Sequence, residues 1–273
     1  MTDPNLVYTY AVLRRTPEAA AAVTHLRGVA GEPIHLVDPA AGTPRLAFAV
    51  GHVPAADYDE TPLKAHLDDL DWLETTVRSH HAVVAALVGC GAAVLPLRLA
   101  TVYHDEDRAR QALDTRRDYF LSLLDRLTGH VELGVKIYAT PDITPPEADP
   151  GAGQEQPTGL GAGRAYLSIR RRRQRRNEEA WRTVAQAARH LTETAATLAV
   201  DRVAHSPQRG SLAGPGPGTN VGNDAYLVAA DRVDAFRAGI LAAAEGVPGL
   251  RVEITGPWAP YSFALQPEPE PAA

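Results

Sequence analysis

The chain has 273 residues, 45% of them apolar, with a formal charge of −6 and a pI near 5.9. That length suits two domains, and the acidic balance disfavours generic nucleic-acid binding, which needs a basic face. Cys90 is the single cysteine, which excludes an intrachain disulfide and a cysteine-based zinc cluster. It also suits a reducing cytosol.

No basic region followed by an apolar stretch opens the chain, and no run approaches 18 uncharged apolar residues, so no membrane span is expected. The most apolar stretch, residues 80–100, is interrupted by Gly89, Gly91, Pro96 and Arg98.

Residues 6–14 mix β-branched, aromatic and apolar side chains, which predicts a first strand. Thr16-Pro17-Glu18 reads as N-cap, proline at the first helical position and an acid in the first turn. An alanine-rich helix should follow and stop at Gly28. Residues 34–38 and 45–51 flank the turn Pro39-Ala40-Ala41-Gly42 and predict a hairpin. Thr61-Pro62 starts a helix whose apolar positions (Leu63, Leu67, Leu70, Leu73, Val77, Val84, Val88) share one face. Asp68, Asp69 and Asp71 read as its solvated edge. Residues 92–104 are extended and contain Pro96, which predicts an edge strand or a bulge. Asp105-Glu106-Asp107 opens the next helix with acids at its positive end, and Gly129 ends it.

From residue 130 the chain alternates, with Val131, Leu133, Val135 and Ile137 on one face of a strand and Glu132 and Lys136 on the other. A Pro-, Gly- and acid-rich loop follows. A long helix then carries a narrow seam of Trp181, Val184, Ala188, Leu191, Ala195 and Leu198. "VDRVAH" and "NDAYLVA" read as strands. Residues 231–246 read as a helix capped by Asp231 and stopped by Gly246, and "LRVEITGPW" reads as the last strand. Strand, helix, strand, strand, helix, strand is the split βαβ order of ferredoxin-like folds. The expected organisation is therefore α+β in two domains. Residues 1–130 form an α+β domain whose topology the pattern leaves open. Residues 131–265 form a ferredoxin-like domain (βαββαβ) with flexible loops at 140–163 and 206–220, and 266–273 form a disordered tail.

Few motifs carry chemistry. The run Arg170 to Arg173, Arg175 and Arg176 reads either as a polyanion patch or as a solvated or protein-contacting helix face, with Glu178 and Glu179 close enough to pair. His80 and His81 diverge by about 100° on a helix, so they are no metal clamp and read as surface or satisfied core histidines. "GAGQEQPTGLGAG" contains neither a dinucleotide fingerprint nor a lysine-terminated phosphate loop. "RGSLAG" lacks the glycine that a nucleophile elbow needs before its serine. Cys90 reads as a small buried hydrophobe rather than a nucleophile. Catalytic, cofactor and metal residues are accordingly expected to be none.

The segment "GPWAPYSF" (256–263) holds Pro257, Trp258, Pro260, Tyr261 and Phe263, and its one ionisable side chain is a phenol. Two prolines fix φ and remove two donors, so the aromatics are presented with little entropy left to lose. One reading makes this segment a lock, with buried rings wedged into the core or a domain interface. The other makes it a partner-binding lip.

Three stretches in this order and at these distances resemble one family. They are "AAVLPLRLATVYHDED" followed by "LLDRLTGHVELGVKIYA", then "GAGRAYLSIRRRRQ", then "NDAYLVAADRVDAFRAGI" leading to "VEITGPWAPYSF". The chain is similar to the gas vesicle protein GvpL/GvpF family from its first strand to Phe263. Two departures are visible: the family's pattern usually has an aromatic and a glycine where Leu99 and Ala100 stand, and a second proline where Ala259 stands. The resemblance implies two α+β domains, the second a modified ferredoxin-like fold. It also implies an accessory or minor structural protein for gas vesicle organisation, needed in small amounts for assembly and residing at the gas vesicle or in the cytoplasm. Its expected partners are the small hydrophobic shell protein GvpA and other Gvp accessory proteins, with no nucleic acid. The expected action is chaperoning, or nucleation at the gas-facing side. No enzyme activity and no cofactor come with the family. Candidate contact residues are Pro96 and Arg98, Arg171, Arg172 and Arg175, and the helix from Trp181 to Leu198. A soluble enzyme or nucleotide-binding regulator on a ferredoxin-like fold is the alternative, since that fold hosts many functions.

Overall fold

The structure, a computed structural model, describes residues 5–40, 45–140, 160–207 and 218–264. Its element order is β1 (Asn5–Arg14), α1 (Pro17–Val23), β2 (His35–Val37), β3 (Leu46–Pro54), α2 (Ala55–Tyr58), α3 (Glu60–Leu67), α4 (Leu70–Gly89), β4 (Val94–Pro96), β5 (Val102–Tyr103), α5 (Glu106–Thr115), α6 (Arg117–Leu127), β6 (His130–Ala139), α7 (Leu160–Leu198), β7 (Asp201–Ala204), β8 (Thr219–Ala229), α8 (Val233–Ala244) and β9 (Leu250–Trp258). Short 3₁₀ turns cover Ala230–Arg232 and Tyr261–Phe263. The loop centres near 141–159 and 208–217 and the tail 266–273 lie outside the described residues.

The chain divides into two compact units, residues 1–132 with 257–273 and residues 133–256. The expected second domain ran on to residue 265. Instead the chain crosses back inside β9 at Gly256, and Pro257 onward belongs to the first unit. The reason lies in the side chains, because Ala259 and Tyr261 pack into the first unit's core beside Tyr8 and Val84.

In the first unit the sheet order is β2-β3-β1-β4, and β5 also pairs with β1. β1 and β3 are antiparallel from Asn5↔Pro54 to Arg14↔Leu46, with a bulge at Tyr10. β2 pairs with β3, which is the expected hairpin. β1 is buried almost without a break because helices cover both faces. Tyr8, Tyr10 and Leu13 meet Val83, Val84 and Leu87 of α4, while Phe48 meets Phe120 of α6. Pro96 ends the edge strand β4 opposite Ala11, where a missing donor costs no ladder bond.

Local chemistry sets the helix ends. Thr16 caps α1 by accepting from the Ala19 amide, with Pro17 at the first position. That helix stops at Val23, short of Gly28. Gly28 is instead required by a close approach. A Cβ there would lie 2.3 Å from the Tyr10 hydroxyl, which accepts the Val29 amide at 2.8 Å. The single helix expected from Thr61 is two. Asp59 caps α3, and Asp69 caps α4 by accepting from the Asp71 and Trp72 amides. Asp69 thus breaks the helix rather than decorating its edge. The helix expected from Asp105 to Gly129 is also two, with Arg116 at the junction.

The second unit has the sheet order β7-β8-β6-β9. β7 and β8 are antiparallel, Asp201↔Leu227 to Ala204↔Asp224. Leu133, Val135 and Ile137 alternate on the buried face of β6 and pack with Leu191 and Ala195 of α7 and Phe236 and Ile240 of α8. Tyr138 points to the other face, beneath the Arg251 guanidinium at 3.8 Å. Asp231 sits inside a 3₁₀ turn and makes no cap to α8. Gly246 follows that helix at φ 74°, where a side chain would be strained.

Candidate partner-binding groove

α7 presents two faces. Leu191 and Ala195 turn into the second unit's core, and buried Val184 lines the groove. Trp181, Ala185, Ala188 and Thr192, at spacings of three and four, turn instead toward an open groove. Ile137 of β6, Arg202 of β7, and Val221 and Gly222 of β8 form the opposite wall, and the cavity measures about 510 Å³. Trp181 stands at this groove 38% exposed, a large ring neither buried nor fully hydrated. Rings of this kind anchor protein contacts because they bring wide apolar area at little entropic cost.

One charged group of the groove is already engaged. The Arg202 guanidinium binds the Asp224 carboxylate at 3.0 Å, and the Tyr226 hydroxyl donates to the same carboxylate at 3.4 Å. Burial, reinforced by that carboxylate, raises the Tyr226 phenol far above its ordinary value, so it stays protonated. What remains to meet a ligand is an apolar trough with Arg189 and Glu193 among its lining. This arrangement can hold the apolar face of a helix. Among the described residues no group of three His, Cys, Asp or Glu side chains is placed to hold a metal. No helix among them is long and apolar enough to cross a membrane.

The closing segment lies in the first unit. Phe263 is 2% exposed, and Ala259 and Pro260 are buried. Trp258 is 44% exposed and Pro257 is exposed, so Trp258 is not a buried wedge. Its ring rests edge-on against His81 at 5.3 Å. Trp258 is the last residue of β9, two positions past Gly256 at φ 102°. The segment is anchored by a residue that sequence reading passed over: Ser262 bonds the Glu132 carboxylate through both its amide and its hydroxyl. The Tyr261 hydroxyl is buried with no hydrogen-bond partner among the described residues.

Pro96 is buried and Arg98 is exposed. The Arg98 carbonyl accepts from the Thr101 amide and hydroxyl, closing a tight turn. Arg171, Arg172 and Arg175 are all exposed on the first half of α7. Gln174 takes the Glu178 carboxylate at 3.2 Å, which the arginines were expected to pair with.

The network that sequence reading missed surrounds His80. The Ala100 amide donates to the Tyr8 hydroxyl at 3.0 Å, and that hydroxyl meets His80 Nδ1 at 2.9 Å. Burial pushes the His80 imidazole down to about 4; the Leu97 backbone opposes this and neighbouring His81 adds to it. No motif marks these residues, since they are far apart in sequence. Cys90 is half-buried and donates to the Leu87 carbonyl at 3.0 Å, a structural thiol.

The family model for gas vesicle synthesis protein GvpL/GvpF matches residues 6–265. Gas vesicle protein L of Streptomyces sp. (strain CB03234) is 41% identical over 272 residues, 97% of this chain and 94% of that protein. Gas vesicle protein F of the same strain is 27% identical over 190 residues, 67% of this chain and 75% of that protein. The crystal structure of GvpF from Anabaena sp. PCC7120 superposes with a TM-score of 0.66 at 16% identity, covering 98% of this chain and 100% of that one. GvpF from Microcystis aeruginosa gives 0.60 at 17%, covering 96% and 99%. These structures share the mixed α/β fold with its two antiparallel sheets, and with the match along nearly the whole sequence the chain belongs to the gas vesicle synthesis protein GvpL/GvpF family.

Proposed function

We propose that this chain is a gas vesicle assembly factor that binds the shell protein GvpA and shields its apolar surface until it enters the growing shell. The carrying observation is the groove beside Trp181, an apolar trough whose Arg202 is already paired internally with Asp224. A small hydrophobic subunit exposes apolar surface before it polymerises, and such patches associate without selectivity. A partner that offers an apolar trough delays that association. Action at nucleation on the gas-facing side, with the unassembled pool in the cytoplasm, fits this role. The second unit reads as a modified ferredoxin-like domain: its strands run β7-β8-β6-β9, and both its helices contribute to one core.

Co-expression tests the proposal. With this chain present, GvpA is expected in the soluble fraction and in a complex that survives gel filtration. Trp181→Asp with Ala185→Glu should abolish the complex and leave the unfolding midpoint nearly unchanged. GvpA that stays as insoluble as before, with no complex, sinks the binding role. A complex indifferent to both substitutions moves the contact away from the groove. Saturable nucleotide binding in a thermal-shift screen, without any GvpA complex, would put the regulator reading in its place.

A further inference from the structure

Two surfaces away from the groove carry complementary chemistry. In the first unit, α4 shows solvent an apolar stripe, with Leu70 78% exposed, Val77 45% exposed and Leu73 half-buried between them. Spacings of three and four put the three on one face. Leu67, at the end of α3, is also exposed, at 41%. A single exposed leucine is ordinary, but three large apolar side chains standing together ask for a cover. Acids rim the patch: Asp68, Asp69 and Asp71 are exposed and make no ion pair among the described residues, while Glu74 pairs with Arg78.

In the second unit, the first half of α7 holds Arg170, Arg171, Arg172, Arg175 and Arg176. All five are exposed, and none pairs with a carboxylate among the described residues. Arg171 and Arg175, and Arg172 and Arg176, stand four apart, where like charges on a helix repel one another. This cationic half-helix belongs to a chain whose net charge is −6.

We propose that the acid-rimmed stripe of α4 in one copy receives the arginine-bearing half of α7 from a second copy. Guanidinium groups match carboxylates in forked pairs. The three-carbon arginine stems are apolar and cover Leu70 and Val77 while their heads reach Asp68 and Asp71. The lengths also agree, since Leu70 to Val77 and Arg170 to Asn177 each span about 10 Å of helix. A nucleic-acid backbone would satisfy the arginines but offer the leucines nothing, whereas a second copy satisfies both. The contact is head-to-tail, so a dimer keeps one surface of each kind free, and association continues into a ring or an open chain. It does not rest on the GvpA reading, whose groove occupies the other half of α7.

Sedimentation velocity of the full chain at tens of micromolar tests it. The wild type should sediment above monomer at low salt and return toward monomer near 1 M salt, where charges are screened within about 3 Å. Two variants are needed. Asp68→Lys with Asp71→Lys spoils the stripe, and Arg171→Glu with Arg172→Glu and Arg175→Glu spoils the helix. Each alone should be monomeric. Their equimolar mixture should stop at a 1:1 dimer, because one intact stripe and one intact helix remain. Leu70→Ser, at a site too exposed to affect folding, should weaken wild-type association at least several-fold. A wild type that is monomeric at low salt overturns the proposal, as does a mixture that stays monomeric. Salt-sensitive binding of a short RNA through the arginines, with association unaffected by the Arg→Glu variant, overturns it in favour of a polyanion site.

Discussion

Ser262 grips the Glu132 carboxylate twice, its amide donating to Oε2 and its hydroxyl to Oε1, both at 2.8 Å. Here the C-terminal turn is fastened to the start of β6 within the first unit. A carboxylate held by two hydrogen bonds contributes about 1.5–3 kcal/mol, more than a neutral contact. Glu132→Ala should lower stability by about 2–3 kcal/mol and Ser262→Ala by about 1. Phe263→Ala, with its ring fully buried, should cost about 3–5 kcal/mol. Trp258→Ala should cost about 1 kcal/mol, because its ring is 44% exposed. Urea melts with an unchanged slope compare the four. A Trp258 penalty larger than that of Phe263 would contradict this assignment of the anchor.

Strands and most helices were legible because their signals are local. Alternation along β6 placed Leu133, Val135 and Ile137 in the core, and Thr16-Pro17 marked the start of α1. The unit boundary was not legible, since what draws Pro257 to Phe263 back to the first unit is Glu132, 130 residues from Ser262 in sequence. The helix break at Asp69 was misread for a different reason. A carboxylate on a helix edge and a carboxylate capping a new helix have the same composition, and only the backbone φ, ψ separates them. A glycine after an apolar helix resembles a helix stop, whereas Gly28 answers to the distant Tyr10 hydroxyl. The groove combines side chains from α7 and three strands, so no contiguous motif announces it. Trp181 was legible as part of the α7 seam, but not that its ring sits at the groove beside the buried positions.

Ala100 is the one non-glycine residue with positive φ among the described residues, at 59°. It occupies the turn between β4 and β5, where its amide donates to the Tyr8 hydroxyl. Left-handed backbone costs a residue with a Cβ about 1–2 kcal/mol. Ala100→Gly should therefore stabilise the protein by about 1 kcal/mol after the added freedom of the unfolded chain is counted, raising the melting temperature by about 2–4 °C. Ala100→Val should lower it instead. Calorimetry on the three proteins checks both signs, and a lower melting temperature for the glycine variant would mean the turn is not strained.

His80 gives the first unit an acid-side weakness. Its Nδ1 meets the Tyr8 hydroxyl, which also accepts the Ala100 amide. Protonating the imidazole would place a charge inside the core, where burial disfavours it. Tyr8, Tyr10 and Tyr261 surround the ring, and burial raises each phenol, so none of them ionises in the acidic range. The His80 pKa falls from the ordinary 6.5 to about 4 on folding. The unfolded chain therefore takes up a proton first. The stabilisation is complete above pH 6.5, shrinks as pH falls through the window from 6.5 to about 4, and is gone below it. At about 1.4 kcal/mol per unit of pKa, the loss between about pH 7 and pH 5 is about 2 kcal/mol from this residue. His80→Gln keeps an acceptor for Tyr8 but cannot titrate. Urea unfolding at both pH values should show the wild type losing about 2 kcal/mol more than the variant over that interval. Equal losses would mean that His80 binds its proton as easily in the folded protein as in the unfolded one.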